Sequence, residues 1–180
     1  MSLRTLLISS VLLITMLAAP ASAGDPNQVF KGKIMLSTKR FPLSAKSKNA
    51  YIAAVRKQST LNFHENKANG TWKIFFAAFL NRPLNDVEYV IKFYELGRGT
   101  QQLLGASEAF NDERGQKTIV SNITLEKKSF GVNKQLLMTI ENKGLVLASA
   151  RFKILGQGER FTGKVEFSEE EAQGKSNGDE

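Results

Sequence analysis

Alternation of apolar and polar positions is the main pattern along this chain. It is clearest in segments 87–96 and 145–155, where nearly every second side chain is apolar. A period of two places apolar side chains on one face of a β-strand and polar side chains on the other. We therefore predict strands in both segments, and in the second we expect Val146, Ala148, Ala150, Phe152 and Ile154 to point inward. The second forms a hairpin with the strand before it, through a turn at Glu141–Gly144.

Weaker alternation predicts the remaining strands, and one segment departs from it. The further strands cover segments 29–36, 61–63, 102–110, 117–125, 135–141 and 160–167. In segment 47–58, Tyr51, Ala54 and Val55 recur at helical spacing behind Ser47, a residue type that favours the N-cap position. We predict one short amphipathic helix there.

Thr71–Leu96 is the most aromatic stretch, with the only Trp and two of the three Tyr. Aromatic side chains bury large apolar areas, so this stretch should form the centre of the core. We predict two long strands joined at Asn81–Pro83. Residues 72–80 also fit a helix, since their largest apolar side chains fall on one helical stripe. Aromatic enrichment favours the strand.

Eight or nine short strands separated by turn residues predict a mainly β fold. We expect one domain over residues 24–168, built as an antiparallel β-sandwich. In strand spacing the pattern resembles immunoglobulin-like sandwiches. That resemblance covers spacing alone and implies no function.

The N-terminus has the features of a signal peptide. Arg4 precedes a mostly apolar run, Thr5–Leu17, and Ala21–Ala23 matches a cleavage site. We predict removal of residues 1–23 and export to the periplasm or the extracellular space. An uncleaved membrane anchor is the alternative. At the other end, residues 169–180 are acidic and predict a disordered tail.

Residue types limit the chemistry that this chain can perform. The absence of Cys excludes disulfides, thiolate catalysis and Cys metal sites. His64 is the only His, so no multi-His metal site is possible. Asn111–Glu113 offers oxygen ligands for a cation, but such a segment is more often a plain turn. We predict no metal site and no cofactor.

Positive charge is concentrated in the body of the chain. The whole sequence carries a net charge of +8, and residues 24–165 hold 23 Lys and Arg against 11 Asp and Glu. Six cations alternate with core residues on predicted strands, and they are Lys31, Lys33, Arg151, Lys153, Arg160 and Lys164. They predict a positive surface for anionic polymers or lipid headgroups, with nucleic acid less favoured. The alternative is a solvated face that protects sheet edges.

Together these patterns predict a non-enzymatic binding or structural module of the bacterial envelope. One alternative is a polysaccharide- or peptidoglycan-active hydrolase that uses paired carboxylates, for which Glu88, Glu95 and Glu108 are the candidates. A second alternative is a protein-interaction or chaperone-like module. It would pair partner strands along segment 102–110 or 117–125.

Overall fold

The computed structural model describes residues 24–66, 68–97 and 99–156. In chain order the elements are α1 (Pro26–Val29), β1 (Lys33–Ser37), α2 (Lys48–Gln58), β2 (Asn62–His64), β3 (Thr71–Leu84), β4 (Glu88–Glu95), β5 (Gln102–Phe110), β6 (Gln116–Glu126), α3 (Lys127–Phe130), β7 (Lys134–Asn142) and β8 (Leu145–Leu155). The mainly β class is confirmed, and so is the helix at 48–58. The predicted signal peptide, the strand at 160–167 and the acidic tail lie outside the described residues.

The strands form one mixed sheet in the order β5-β4-β7-β8-β1-β3-β6, with β2 paired to β8. The β1–β8 and β2–β8 pairs are parallel, and the other pairs are antiparallel. This sheet curls into a half-barrel, so the predicted two-sheet sandwich is not confirmed. Alternation along a strand is the same in both architectures, because each needs one buried face.

The inward face of the sheet holds the main core. Trp72, Ile74 and Phe76 of β3 meet apolar side chains from the other long strands there. Phe152 lies at the centre of an aromatic group, with its ring centroid 5.7 Å from that of Phe63 and 6.4 Å from that of Phe93. The Trp72 indole N–H donates to the Leu155 carbonyl at 3.0 Å, which satisfies its buried polar atom.

A second, smaller core lies on the outward face of β1 and β3. It contains Phe30, Phe41, Ile52, Val55, Ala77 and Phe79. Ile52 and Val55 come from α2, which therefore covers this part of the sheet with α1. Residues 72–80 pair with β1 and β6 as part of β3, which confirms the strand interpretation and excludes the helix, and residues 76–80 are buried on both faces.

Two boundaries near this second core differ from the prediction. The first strand begins at Lys33, because Asp25 caps α1 and Gly32 turns the chain with φ +72°. Only glycine adopts such an angle without strain. The turn expected at Asn81–Pro83 is absent, since β3 continues through these residues to Leu84.

A bulge corrects the predicted inward face of β8. Ile140 pairs with Ala148, and Glu141 pairs with Val146, so Leu147 is an extra residue. Leu147 and Ala148 are both buried in the main core, while Val146 is 49% exposed. The prediction that Val146 points inward is therefore wrong, because a bulge interrupts strict alternation.

Candidate functional site

The structure brings together some of the six predicted cations. Lys33 lies opposite Ser149 in the parallel β1–β8 pair, and Arg151 follows Ser149 on the same face. Lys33 and Arg151 are exposed, and Lys153, farther along that face, is half-buried beside Asn62 of β2. Strands β1 and β8 are interior strands of the sheet, so these cations do not protect edges as the alternative proposed.

Of the other three predicted cations, the structure describes only Lys31. Lys31 is exposed, but it lies in the turn between α1 and β1 and not on a strand. Arg160 and Lys164 lie outside the described residues.

A larger basic region escaped the prediction from alternation. Residues 26–64 contain no Asp or Glu, and they hold eight cations, Lys31, Lys33, Lys39, Arg40, Lys46, Lys48, Arg56 and Lys57. We call the exposed side chains of these eight residues the basic surface. A count of charges along the chain, without regard to strand faces, would have found it. The same segment forms α1, β1, α2 and β2, so its charges gather around the second core.

The loop between β1 and α2 is held firmly although its cations are exposed. Phe41 is buried in the second core, and the Gln58 side-chain amide donates to the carbonyls of Lys39 and Arg40 at 2.7 and 2.8 Å. The tip of this loop carries Leu43, which is 81% exposed. The loop therefore presents an apolar side chain among cations on a fixed backbone.

Arg56 extends the basic surface from α2 towards α1. Its guanidinium carbon lies 5.7 Å from the centroid of the Phe30 ring, in a cation–π contact. Phe30 immediately precedes Lys31 in the chain. The contact therefore places the two cations at neighbouring positions.

Five cations elsewhere in the described part of the chain are paired with carboxylates. The ion pairs are Lys92–Glu141, Lys127–Glu65, Lys128–Glu126, Lys134–Glu95 and Lys143–Asp86. None of the eight residues of the basic surface forms such a pair with a described residue. Among the described residues, no carboxylate therefore pairs with the charge of this surface.

One carboxylate, that of Glu141 on β7, is buried on the outward face of the sheet. Glu141 is 6% exposed, and its carboxylate accepts from Lys92 Nζ at 2.7 Å and from Thr139 Oγ1 at 2.8 Å. Burial alone would raise the pKa of Glu141, but the hydrogen bonds and the charge of Lys92 outweigh it and lower the pKa. The same pair raises the pKa of Lys92.

The acids considered for hydrolysis are placed differently from one another. Glu88 and Glu108 are exposed on the neighbouring strands β4 and β5, where Glu108 pairs with Val90. Glu95 lies at the far end of β4 and its carboxylate contacts Lys134 Nζ at 2.7 Å. Within the described ranges, no group of three or more His, Asp or Glu side chains is arranged to hold a metal ion.

The strands considered for partner pairing, β5 and β6, are the two ends of the sheet. β5 contains no Lys, Arg or Pro, and its Phe110 is 68% exposed. In residues 24–156, apart from the two positions not described, no helix is long and apolar enough to cross a membrane.

A small cleft lies between α1, the far end of β3 and the start of β6. It has a volume of about 200 Å³ and is lined by Asn27, Gln28, Lys31, Leu80, Asn81, Arg82, Pro83 and Lys117. Three of these residues are cations and none is an acid. Sequence spacing gave no sign that Lys31, Arg82 and Lys117 share a site.

Comparison of the chain with protein-family models finds no match, and comparison with curated proteins finds none either.

Proposed function

We propose that this protein is a non-enzymatic binding module that attaches to an anionic component of the bacterial envelope through the basic surface. The observation that carries the proposal is that the acid-free segment 26–64 gathers eight exposed cations without carboxylate partners among the described residues. The predicted signal peptide supplies the envelope location. Arg151 on β8 lies on the same face as Lys33 and adds to this positive region.

Charge of one sign on one side of a protein attracts polyanions over a distance of about 10 Å at 0.1 M salt. The binding groups of such partners are phosphates, sulfates or carboxylates. Attraction of this kind weakens as salt rises, because counterions screen both surfaces.

Exposed apolar side chains on the basic surface favour lipid headgroups over a soluble polymer. Leu43 stands at the tip of the basic loop, and exposed Leu61 follows the C-terminus of α2. A leucine gains free energy when it leaves water for the acyl boundary, and cations beside it attract anionic lipids. A soluble polyanion offers no such gain.

Removing three cations of the basic surface should weaken attachment. We expect the Lys39→Gln/Arg40→Gln/Lys57→Gln variant to bind phosphatidylglycerol vesicles roughly 100-fold more weakly, because each cation near such a surface contributes about 1 kcal/mol. Vesicle co-sedimentation at low salt measures this. Elution from heparin should also move to lower salt.

The matched control is Lys127→Gln/Lys128→Gln/Lys143→Gln, which removes the same formal charge from cations that are already in ion pairs. It should bind almost as the unmodified protein does. Equal losses in both variants would mean that net charge acts and not this surface. Leu43→Ser should weaken vesicle binding but leave heparin elution unchanged. Vesicle binding that is unchanged in this variant would favour a soluble polymer over lipid headgroups.

Strand pairing along β5 is a second candidate function, favoured by its place at the sheet end and its lack of Lys and Pro. Natural edge strands usually carry such residues to prevent pairing. If a second copy pairs there, the protein should self-associate at high concentration, and Leu103→Lys/Phe110→Lys should make it monomeric. Sedimentation velocity measures this, and a monomer at all concentrations before substitution would contradict self-pairing.

A further inference from the structure

The cleft lined by Lys31, Arg82 and Lys117 results from an irregularity in the sheet. Phe79 of β3 pairs with Thr118 of β6, and the next pair is Leu84 with Gln116. Four residues of β3, at positions 80–83, therefore face the single residue Lys117. A bulge bends its strand locally, and bulges of this kind commonly redirect side chains at functional positions.

Contacts from three directions fix the walls of the cleft. The Asn81 side-chain amide donates to the Val146 carbonyl at 3.2 Å, which ties the bulge to β8. Gly32 N–H donates to the Phe79 carbonyl at 2.8 Å, and this bond holds the turn that carries Lys31 against β3. The Thr118 hydroxyl donates to the side-chain amide oxygen Oδ1 of Asn27, which joins α1 to β6. Hydrogen bonds to neighbouring elements therefore hold in place the segments that line the cleft.

The charged side chains that line the cleft are all positive. The side chains of Lys31, Arg82 and Lys117 are exposed, and none forms an ion pair with the part of the chain that the structure describes. Asp25, the cap of α1, is not among the lining residues, and its carboxylate accepts from the Asn27 backbone N–H at 3.1 Å and from its side-chain amide at 3.4 Å. Among the described residues that line the cleft there are thus three cations and no acid.

We propose that this cleft binds a phosphate group. Its volume of about 200 Å³ is below the roughly 300 Å³ at which pockets for drug-sized ligands begin, so it suits a small group and not a large molecule. The Arg82 guanidinium offers a planar pair of donors that matches two phosphate oxygens, and the two lysines add point charges. Gln28 supplies a further amide at the same wall.

Two phosphate sources share this chemistry, a lipid headgroup and a free phosphate compound. This proposal rests on the proposed function. The basic surface would attract anions of several kinds, and the cleft would select those that carry a phosphate. Three cations also match the charge of a phosphate better than that of a single carboxylate. The site therefore adds selectivity to an otherwise unselective attraction.

Titration of the purified protein with inorganic phosphate and with glycerol 3-phosphate tests the site. We expect saturable binding by calorimetry, with acetate at equal ionic strength giving none. Lys31→Gln/Arg82→Gln/Lys117→Gln should weaken phosphate binding at least about 100-fold, because each charge-assisted contact contributes about tenfold or more. Lys39→Gln/Arg40→Gln/Lys57→Gln should retain phosphate binding, and thermal unfolding should show that both variants are folded.

Competition separates the two sources. If glycerol 3-phosphate releases the protein from phosphatidylglycerol vesicles, the site takes a headgroup; if it saturates the cleft without release, the site takes a free phosphate compound. Absence of saturable phosphate binding, or equal losses in the two triple variants, would overturn the phosphate site while leaving vesicle attachment intact. Conversely, a protein that binds phosphate in the cleft but does not attach to vesicles or heparin would contradict the proposed function alone.

Discussion

Replacing Phe152 with alanine should lower the free energy of unfolding by about 3–5 kcal/mol. Phe152 is buried in the main core, and its ring makes edge contacts with Phe63 and Phe93. Removal leaves a cavity that strands held in one sheet cannot close. For a chain of this length the loss corresponds to a fall in Tm on the order of 10 °C. Chemical denaturation and thermal melts measure both quantities.

The same substitution at an exposed position gives the matched control. Phe110 is 68% exposed at the end of β5, so Phe110→Ala should change stability by less than about 0.5 kcal/mol. Similar losses at the two positions would contradict the placement of the core on the inward face. Phe152→Leu should fall between them, because it keeps most of the buried volume and loses the ring contacts.

Replacing Lys92 with alanine should lower the Tm at neutral pH, on the order of 5 °C. The change leaves the Glu141 carboxylate buried with hydrogen bonds from Thr139 and Tyr94 but without its counter-charge. A buried ion that has lost its partner keeps its desolvation cost. Thermal melts of the variant and the unmodified protein at matched pH measure the effect.

The sign of the pH dependence follows from the two pKa shifts. The pKa of Glu141 is lowered from its ordinary value of 4.5, so its contribution to stability is present above that value and is lost as pH falls through the folded pKa. The pKa of Lys92 is raised from 10.5, so its contribution is present below that value and is lost as pH rises through the folded pKa. The Tm difference between Lys92→Ala and the unmodified protein should therefore shrink in acid.

A double substitution separates the ion pair from the general packing of this region. Lys92→Met/Glu141→Met removes both charges together and should recover most of the Tm lost in Lys92→Ala. It should also abolish the acid dependence that Glu141 supplies. If the double variant were less stable than Lys92→Ala, the two charges together would stabilise the fold and would not merely offset the cost of burying the Glu141 carboxylate.

Local sequence patterns were sufficient to predict the longest described helix and most of the described strands. The helix at 48–58 was predicted with its bounds, because Ser47 caps it and Val55 repeats the spacing of one buried stripe. The strand at 72–80 was predicted from its aromatic enrichment, although the same side chains also fit a helical stripe. Both signals depend on residues a few positions apart, which is the range over which period and capping act.

The candidate site was predicted only in part. Alternation identified Lys33 and Arg151 as outward residues, and the β1–β8 pairing makes them neighbours on one face. Arg82 was assigned to a turn and Lys117 to a weak strand, so neither entered the predicted surface. Their position in one cleft depends on the bulge in the β3–β6 register, which alternation does not reveal.

Pattern and composition were enough to establish that the protein is mainly β, where most of the described strands and the longest described helix lie, and that the body of the chain is basic. Those properties follow from local periodicity and composition. The tertiary structure decided that the strands form one curled mixed sheet, that segment 26–64 gathers its cations around the second core, and that Lys31, Arg82 and Lys117 meet in a cleft. The physical reason is that strand partners and register are set by hydrogen bonds and packing between residues far apart in the chain.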